Sequence, residues 1–424
     1  MDWLTHRRRA LLYASAFLMD LAAFAGLTAI FLLLARHFES SLRTQGLVSL
    51  LRMVVYLGLC PVVSRLARRR SRRLAFMVMG PPVLAGAYAL IAASATVGQV
   101  MVLSWVNAVA AAFFWPQLEA EIGHGVSGRP LGRRMGMFNI SWSVGSTLAP
   151  FVGALLYDVN GRLDHRLPFI AAAAAGLAVA GLMLLYRGLC RRAGERIDLP
   201  PPAKDHGERI DLPPPATDHG EPQRPVPSVM PTMLVLFVWL AWLGNFVAYA
   251  NQSIARTLFQ QVAAKNDFTN VQIGWAMAAL GVTRTLMLVV LQCTQRWVYR
   301  ARYLYVFQGV LLGGVFLMCL SGGPAQAAIA MGLIGMGAAM AYTASMFYSV
   351  EGAHHGKAST GLHEAVIGGG GAVGVLVAGQ IAPRLTADHP RSPFYGGFAL
   401  AAACLVVQAG VHLVYRRRAE RRKS

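Results

Sequence analysis

The 424-residue chain is 55% apolar and only 14% charged, with a mean hydropathy of +0.47. A soluble domain carries about a quarter charged residues, and apolar runs of about 20 residues, the length that crosses ~30 Å of hydrocarbon, recur here from end to end, which excludes a water-soluble globule. The runs are continuous, not alternating, which excludes a transmembrane β-barrel. The net charge of +20 reads as basic loops beside a membrane, not as a nucleic-acid surface.

The amino terminus, "MDWLTHRRRALLYASAFLMD", starts like a signal peptide, but its apolar run continues to about Leu34. That is too long for a cleaved segment, so it is expected to be a retained first helix. Twelve spans follow from the pattern: 10–35, 43–64, 74–94, 98–121, 136–157, 167–189, 231–255, 270–293, 303–320, 325–350, 359–383 and 394–415. The expected fold class is therefore all-α, a polytopic membrane protein with residues 1–189 as one six-helix bundle and 231–424 as another. Between them, 190–230 is polar and holds "ERIDLPPPAKDHG" followed at once by "ERIDLPPPATDHG". The proline triplets favour extended polyproline II and leave little to bury, so disorder is expected. The repeat reads either as a duplicated spacer or as a partner-binding motif in two copies.

Most of the 39 Lys and Arg fall in loops on the side of the two termini, which the positive-inside rule makes cytoplasmic. The five cysteines (Cys60, Cys190, Cys293, Cys319 and Cys404) lie in or beside apolar runs without metal-ligand or paired spacing, and read as small hydrophobes. A literal G-x-G-x-x-G at Gly369, Gly371 and Gly374 falls inside a helical run, not between a strand and a helix. With Gly370-x-x-x-Gly374 it reads as a close helix-packing face. With no phosphate-binding loop, metalloprotease motif or nucleophile elbow, no enzyme activity and no cofactor are expected.

The two halves resemble each other. Aligning Trp115 of "FFWPQLEAEIGHG" with Phe347 of "MFYSVEGAHHGK" brings Glu119 onto Glu351. Arg52 precedes Arg65 in span 2 much as Arg284 precedes Arg296 in span 8, and Asp20/Phe24 of span 1 match Asn245/Tyr249 of span 7. Such matches fit two parallel repeats about an axis along the membrane normal.

This architecture, the basic loop "PVVSRLARRRSRR" between spans 2 and 3, and the glycine- and proline-bearing fifth span "SWSVGSTLAPFVGALLYD" resemble the major facilitator superfamily of secondary transporters. Pro61 and Arg65 stand where that superfamily's loop carries a glycine and an acid. The resemblance implies transport by alternating access, with spans 1, 4, 7 and 10 lining a cavity and 2, 5, 8 and 11 flanking it. Polar residues follow that plan. Asp20, Arg52, Arg284, His363 and Glu364 are ionisable groups inside spans, Asn107 lies in span 4, and Asn245, Tyr249 and Gln252 share one face of span 7. Tyr342, Ser345 and Ser349 share a face of span 10, and spans 3, 6 and 9 carry no interior charge.

The expected solute contacts are therefore Arg52, Arg284, Asn107, Asn245, Tyr249, Gln252 and Tyr342. The arginine pair resembles that of the nitrate/nitrite porters, which implies a small anionic or polar solute. Asp20, Glu364 and His363 are candidates for proton coupling, and Glu119 and Glu351, with Arg65 and Arg296, for cytoplasmic gate pairs. Each has a plainer reading: helix bracing for Asp20 and Arg52, a solvated helix end for His363 and Glu364, interhelical hydrogen bonding for the span 7 stripe. Two other functions stay open. One is a metal or metal-chelate carrier using Glu121, His124, Glu351, His354, His355 and His363. The other is a non-transporting scaffold acting through the linker. The expected partners are a small-molecule solute and the lipid bilayer, with no nucleic acid and no bound metal. A monomer in a bacterial inner membrane is expected.

Overall fold

The computed structural model describes residues 2–67, 69–124, 128–158, 164–192, 231–294, 296–354, 360–386 and 389–421. Nearly all of the linker, with its tandem repeat, lies outside the described residues. Every regular element among them is helical. Twelve helices are long and apolar enough to cross a bilayer. They run His6–His37, Leu42–Leu66, Arg70–Ile91, Val97–Ile122, Arg133–Tyr157 and Leu167–Arg192, then Leu234–Thr257, Asn270–Cys293, Ala301–Leu320, Pro324–Ser349, Ala365–Leu385 and Ser392–Arg417. The first helix begins at Asp2, several residues before the expected start. Spans alternate in direction, so both ends of the chain lie on one face, here the terminal face, and the other is the far face.

Local chemistry sets several far-face helix starts. Thr96 and Gln99 form a reciprocal cap at span 4, Thr269 and Gln272 do the same at span 8, and Ser41 caps span 2. Each satisfies backbone N–H groups that a membrane interface would otherwise leave bare. Outward faces stay apolar: Leu90, Leu177, Leu184, Val306, Phe316 and Val406 on spans 3, 6, 9 and 12 are all exposed. In water such surface promotes aggregation; in hydrocarbon it matches the solvent.

The helix neighbours repeat. In the first bundle, spans 1·5, 1·6, 2·4, 3·4 and 3·6 pack together; in the second, 7·11, 7·12, 8·10, 9·10 and 9·12 do. Adding six to each span number converts one set into the other, so the halves are pseudo-symmetric. The bundles meet through spans 5·8 and 2·11, which the same relation interchanges. Span 11's glycines act as helix-packing surface. A Cβ on Gly370 would meet Phe246 O at 2.4 Å and one on Gly374 would meet Ala250 O at 2.5 Å.

On the far face the bundles are sealed to each other. Gln261, on the short helix Phe259–Lys265, donates to Ser40 O at 2.5 Å, and Gln380 donates to Arg43 O at 2.6 Å. Arg36 donates to Phe268 O. Spans 1 and 11 each widen to a π-helical turn here, at Leu33–His37 and Val377–Ile381. His37 sits 4.8 Å from the ring of His165. Burial first, then His37 and Arg166, hold His165 below its ordinary value, which keeps this seam short of an added cation near neutral pH. On the terminal face a cavity of about 690 Å³ opens between spans 1 and 5, lined by residues that include His6, Arg9, Tyr13, Arg133 and Arg134.

The tightest point of the seal is glycine on glycine: a Cβ on Gly46 would lie 2.9 Å from Gly379 Cα. Gly46→Val is therefore expected to wedge spans 2 and 11 apart while each bundle stays folded. Solvent accessibility of cysteines placed along the far-face ends of spans 2 and 11 should rise. Unchanged accessibility in a folded G46V protein would contradict the seal.

Candidate functional site

The central polar site lies where spans 5 and 8 join the bundles. Arg284 of span 8 is 3% exposed. It donates from Nη1 to Gln252 Oε1 at 3.2 Å and from Nη2 to Ser146 Oγ at 2.5 Å. Its guanidinium lies 4.8 Å over the Trp142 ring. Gln252 belongs to its own bundle, while Ser146 and Trp142 belong to the other. Around it Ser143 Oγ and Thr147 Oγ1 meet Thr285 Oγ1 at 2.6 and 3.0 Å, so the seam carries a hydroxyl ladder across the bundles.

Asp20 of span 1 is 5% exposed, and the cations acting on it are Arg256 and then Arg284. Arg256, near the far-face end of span 7, lies 4.2 Å over the Phe24 ring of span 1. The sequence pattern placed Arg256 just past the end of span 7, outside the membrane; the helix instead runs to Thr257. Extending the stripe Asn245, Tyr249, Gln252 by one more turn reaches i+11, which is Arg256. That spacing was the available signal. Asp20, Arg256 and Arg284 are thus a charged group shared between both bundles, near enough to act on one another but with no direct ion pair between them among the described residues.

An aromatic group continues the site toward the terminal face. Tyr342 lies 5.9 Å from Trp142, 6.3 Å from Tyr249 and 5.5 Å from His363. His363 is 1% exposed; its Nδ1 pairs with Ser345 Oγ at 2.8 Å, while Nε2 has no hydrogen-bond partner. It is thus buried among side chains and not a solvated helix end.

Arg52 takes a different position from its sequence counterpart. The groups acting on it are Tyr88 and then Tyr56, and Tyr88 donates to Ala23 O at 2.7 Å. Arg52 thus lies near these two phenols of its own bundle and also within reach of the charge of Arg256 in the second bundle, and its Nε is buried with no hydrogen-bond partner among the described residues. Asn107 and Asn245 are buried, and neither amide makes a hydrogen bond from its side-chain oxygen or nitrogen. Of the coupling and gate candidates, Glu364 and Glu351 lie on described helices but their side chains are outside the described set. Arg65 and Arg296 are exposed on the terminal face, and Glu119 is half-buried.

The ion pairs visible at the terminal face centre on Glu121. Its carboxylate takes Arg70 Nη2 at 2.6 Å, Arg73 Nη2 at 2.9 Å and the Tyr186 hydroxyl at 2.7 Å. These partners come from spans 3 and 6, so the brace ties the first bundle to itself and does not bridge to the second. Among the described residues no three His, Cys, Asp or Glu side chains cluster to hold a metal ion.

The profile of the Major Facilitator Superfamily matches residues 12–241, more than half of the chain. The chain belongs to the major facilitator superfamily. Its members are secondary transporters, so the protein is a multi-pass membrane transporter of small molecules. Solved superfamily structures share the fold across nearly the whole chain. The nucleoside transporter NupG matches with a TM-score of 0.64 at 12% identity, covering 96% of this chain and 99% of its own. A bacterial homologue of the human lysosomal transporter Spinster, inward-facing and unoccupied, matches with a TM-score of 0.62 at 12% identity, covering 97% of each chain. No curated protein matches the sequence.

Removing one partner from a buried ion pair costs about 3–5 kcal/mol, because the remaining charge is stranded. Glu121→Gln should therefore destabilise the transporter by roughly 3 kcal/mol, read as a lowered midpoint of unfolding in detergent. A midpoint equal to that of the parent protein would show that Arg70 and Arg73 do not depend on the carboxylate.

Proposed function

We propose that the protein carries a small anionic solute by alternating access, coupled to protons through Asp20, with the terminal face in the cytoplasm. The observation that carries this reading is the buried triad at the bundle seam. Asp20, Arg256 and Arg284 together leave one uncompensated positive charge, which a monoanion balances. A charge in hydrocarbon is costly, and guanidinium forks bind planar or tetrahedral anions by paired hydrogen bonds. The unpartnered Arg284 Nε and His363 Nε2 add donors or acceptors for a polar solute, as do the Asn107 and Asn245 amides if they turn toward it.

Coupling follows from competition. Ionised Asp20 and an anionic solute seek the same two arginines. Protonating Asp20 releases those arginines to the solute, and solute binding in turn favours the proton on Asp20; the two affinities rise by one shared factor. Proton and anion then travel together. Rocking of the bundles about the 5·8 and 2·11 seams would expose the triad to either face in turn. Once the basic loops are placed in the cytoplasm, the far-face seal closes the outward side of the site. Labelling of both chain ends from the same, cytoplasmic side of sealed vesicles checks that placement.

Uptake of a panel of small monoanions into proteoliposomes tests the reading. At least one anion should accumulate faster under an inward proton gradient. Arg284→Lys should abolish transport, since an ammonium cannot reproduce the fork, while the variant remains monodisperse. Asp20→Asn should keep solute exchange and lose gradient-driven accumulation. Full transport by R284K, or proton-driven accumulation by D20N, would overturn the proposal.

A further inference from the structure

The wall of the first bundle at the terminal face carries more cations than its structure requires. A cavity of about 180 Å³ lies among spans 1, 3, 4, 5 and 6, lined by Arg8, Arg9, Arg70, Arg134, Tyr13 and Glu121 among others. Glu121 is the one carboxylate in that lining, and it is engaged by Arg70, Arg73 and Tyr186. Among the described residues Arg9 and Arg134 have no ion-pair partner. Tyr13, between them, donates to Arg134 O at 3.4 Å. Arg9 and Arg134 share this small space with Arg8 and Arg70, and like charges brought so close repel one another unless an anion joins them.

We propose that this cavity is a second anion site, distinct from the central one, that holds a phosphate group. Its volume admits a phosphate with a few attached atoms, at ~30 Å³ per water-sized unit. The donor set favours phosphate over carboxylate: a carboxylate holds its two oxygens in one plane, whereas a phosphate group or phosphodiester sets its oxygens tetrahedrally, toward guanidiniums arriving from several helices. Its lining comes from the first bundle alone, whereas the transport triad spans the seam. A ligand here therefore stays with its bundle through the transport cycle instead of crossing the membrane. Arg9, Tyr13 and Arg134 also line the wider terminal-face cavity, so the site is reached from that side. The phosphate belongs either to a soluble compound or to an anionic lipid headgroup.

The full-length protein in nanodiscs separates these sources. In phosphatidylcholine discs, inorganic phosphate is titrated against chloride at equal ionic strength. In a second arm without phosphate, phosphatidylcholine discs are compared with discs containing phosphatidylglycerol. Thermal stability and lipid retained in native mass spectra are read in both. A saturable rise in unfolding midpoint in either arm, weakened at least tenfold in affinity by Arg9→Gln with Arg134→Gln, is the expected result. A response to phosphate alone assigns a soluble ligand, and a response to phosphatidylglycerol alone assigns a lipid headgroup. If the double variant does not fold, Arg9→Gln alone serves and should weaken binding in the same direction. No response in either arm, or an equal response in the variants, overturns the site.

Discussion

A guanidinium inside hydrocarbon has to be met by protein, and Arg284 is met from both halves of the molecule. Gln252 bonds it from its own bundle, Ser146 from the other, and Trp142 covers its face. Asp20 and Arg256 act at the same seam, and with Arg284 they carry one excess positive charge. Elsewhere the bundles meet through a few hydrogen bonds and through close packing of small residues, as at Gly46 against Gly379 and Gly281 against Thr147. Such seams give little attraction per contact in a lipid solvent. The direct polar links between the bundles are therefore few: the Arg284–Ser146 bond, the hydroxyls around Thr285, and the far-face bonds of Gln261, Gln380 and Arg36. Anything that changes the charge of the central group changes the balance between the two halves.

The scaffold is symmetric but the chemistry is not. The neighbour pattern of spans 1–6 reappears in 7–12, and the two seams interchange under the same relation. Yet Arg52, which corresponds to Arg284, lies near Tyr88 and Tyr56 of its own bundle, and Asn245 stands where the first half has Asp20. Duplication supplies a frame that can present one site to either face, and divergence of a few side chains makes that site carry a net charge. The terminal face diverges too. Glu121 gathers Arg70 and Arg73 within one bundle, leaving Arg9 and Arg134 to face a cavity without ion-pair partners.

Hydropathy and loop charge were sufficient for the fold. Hydrocarbon demands that each crossing segment satisfy its own backbone, so a span announces itself locally as about twenty apolar residues, and all twelve were legible in this way. Gly370 and Gly374 were legible as a packing face for the same reason, since close approach needs only helical spacing. The candidate site was legible in part. Asp20, Arg284, Gln252, Tyr249, Tyr342 and His363 stood out as polar residues where polarity is costly, but their partners did not.

The sequence by itself determined the number of crossings, the repeat between halves and which residues are too polar for lipid, because each of these follows from local composition and period. The tertiary structure decided which of those residues meet. It drew Arg256 into the charged group, because a helix two residues longer than expected carries that side chain against Phe24 of span 1. It gave Arg52 different neighbours from its sequence counterpart, because Tyr88 and Tyr56 of its own bundle stand beside it where Gln252 and Ser146 meet Arg284. It enlisted Ser146 and Trp142, whose ordinary polarity gives no signal in a sequence, because only the packing of span 5 on span 8 brings them beneath a buried arginine.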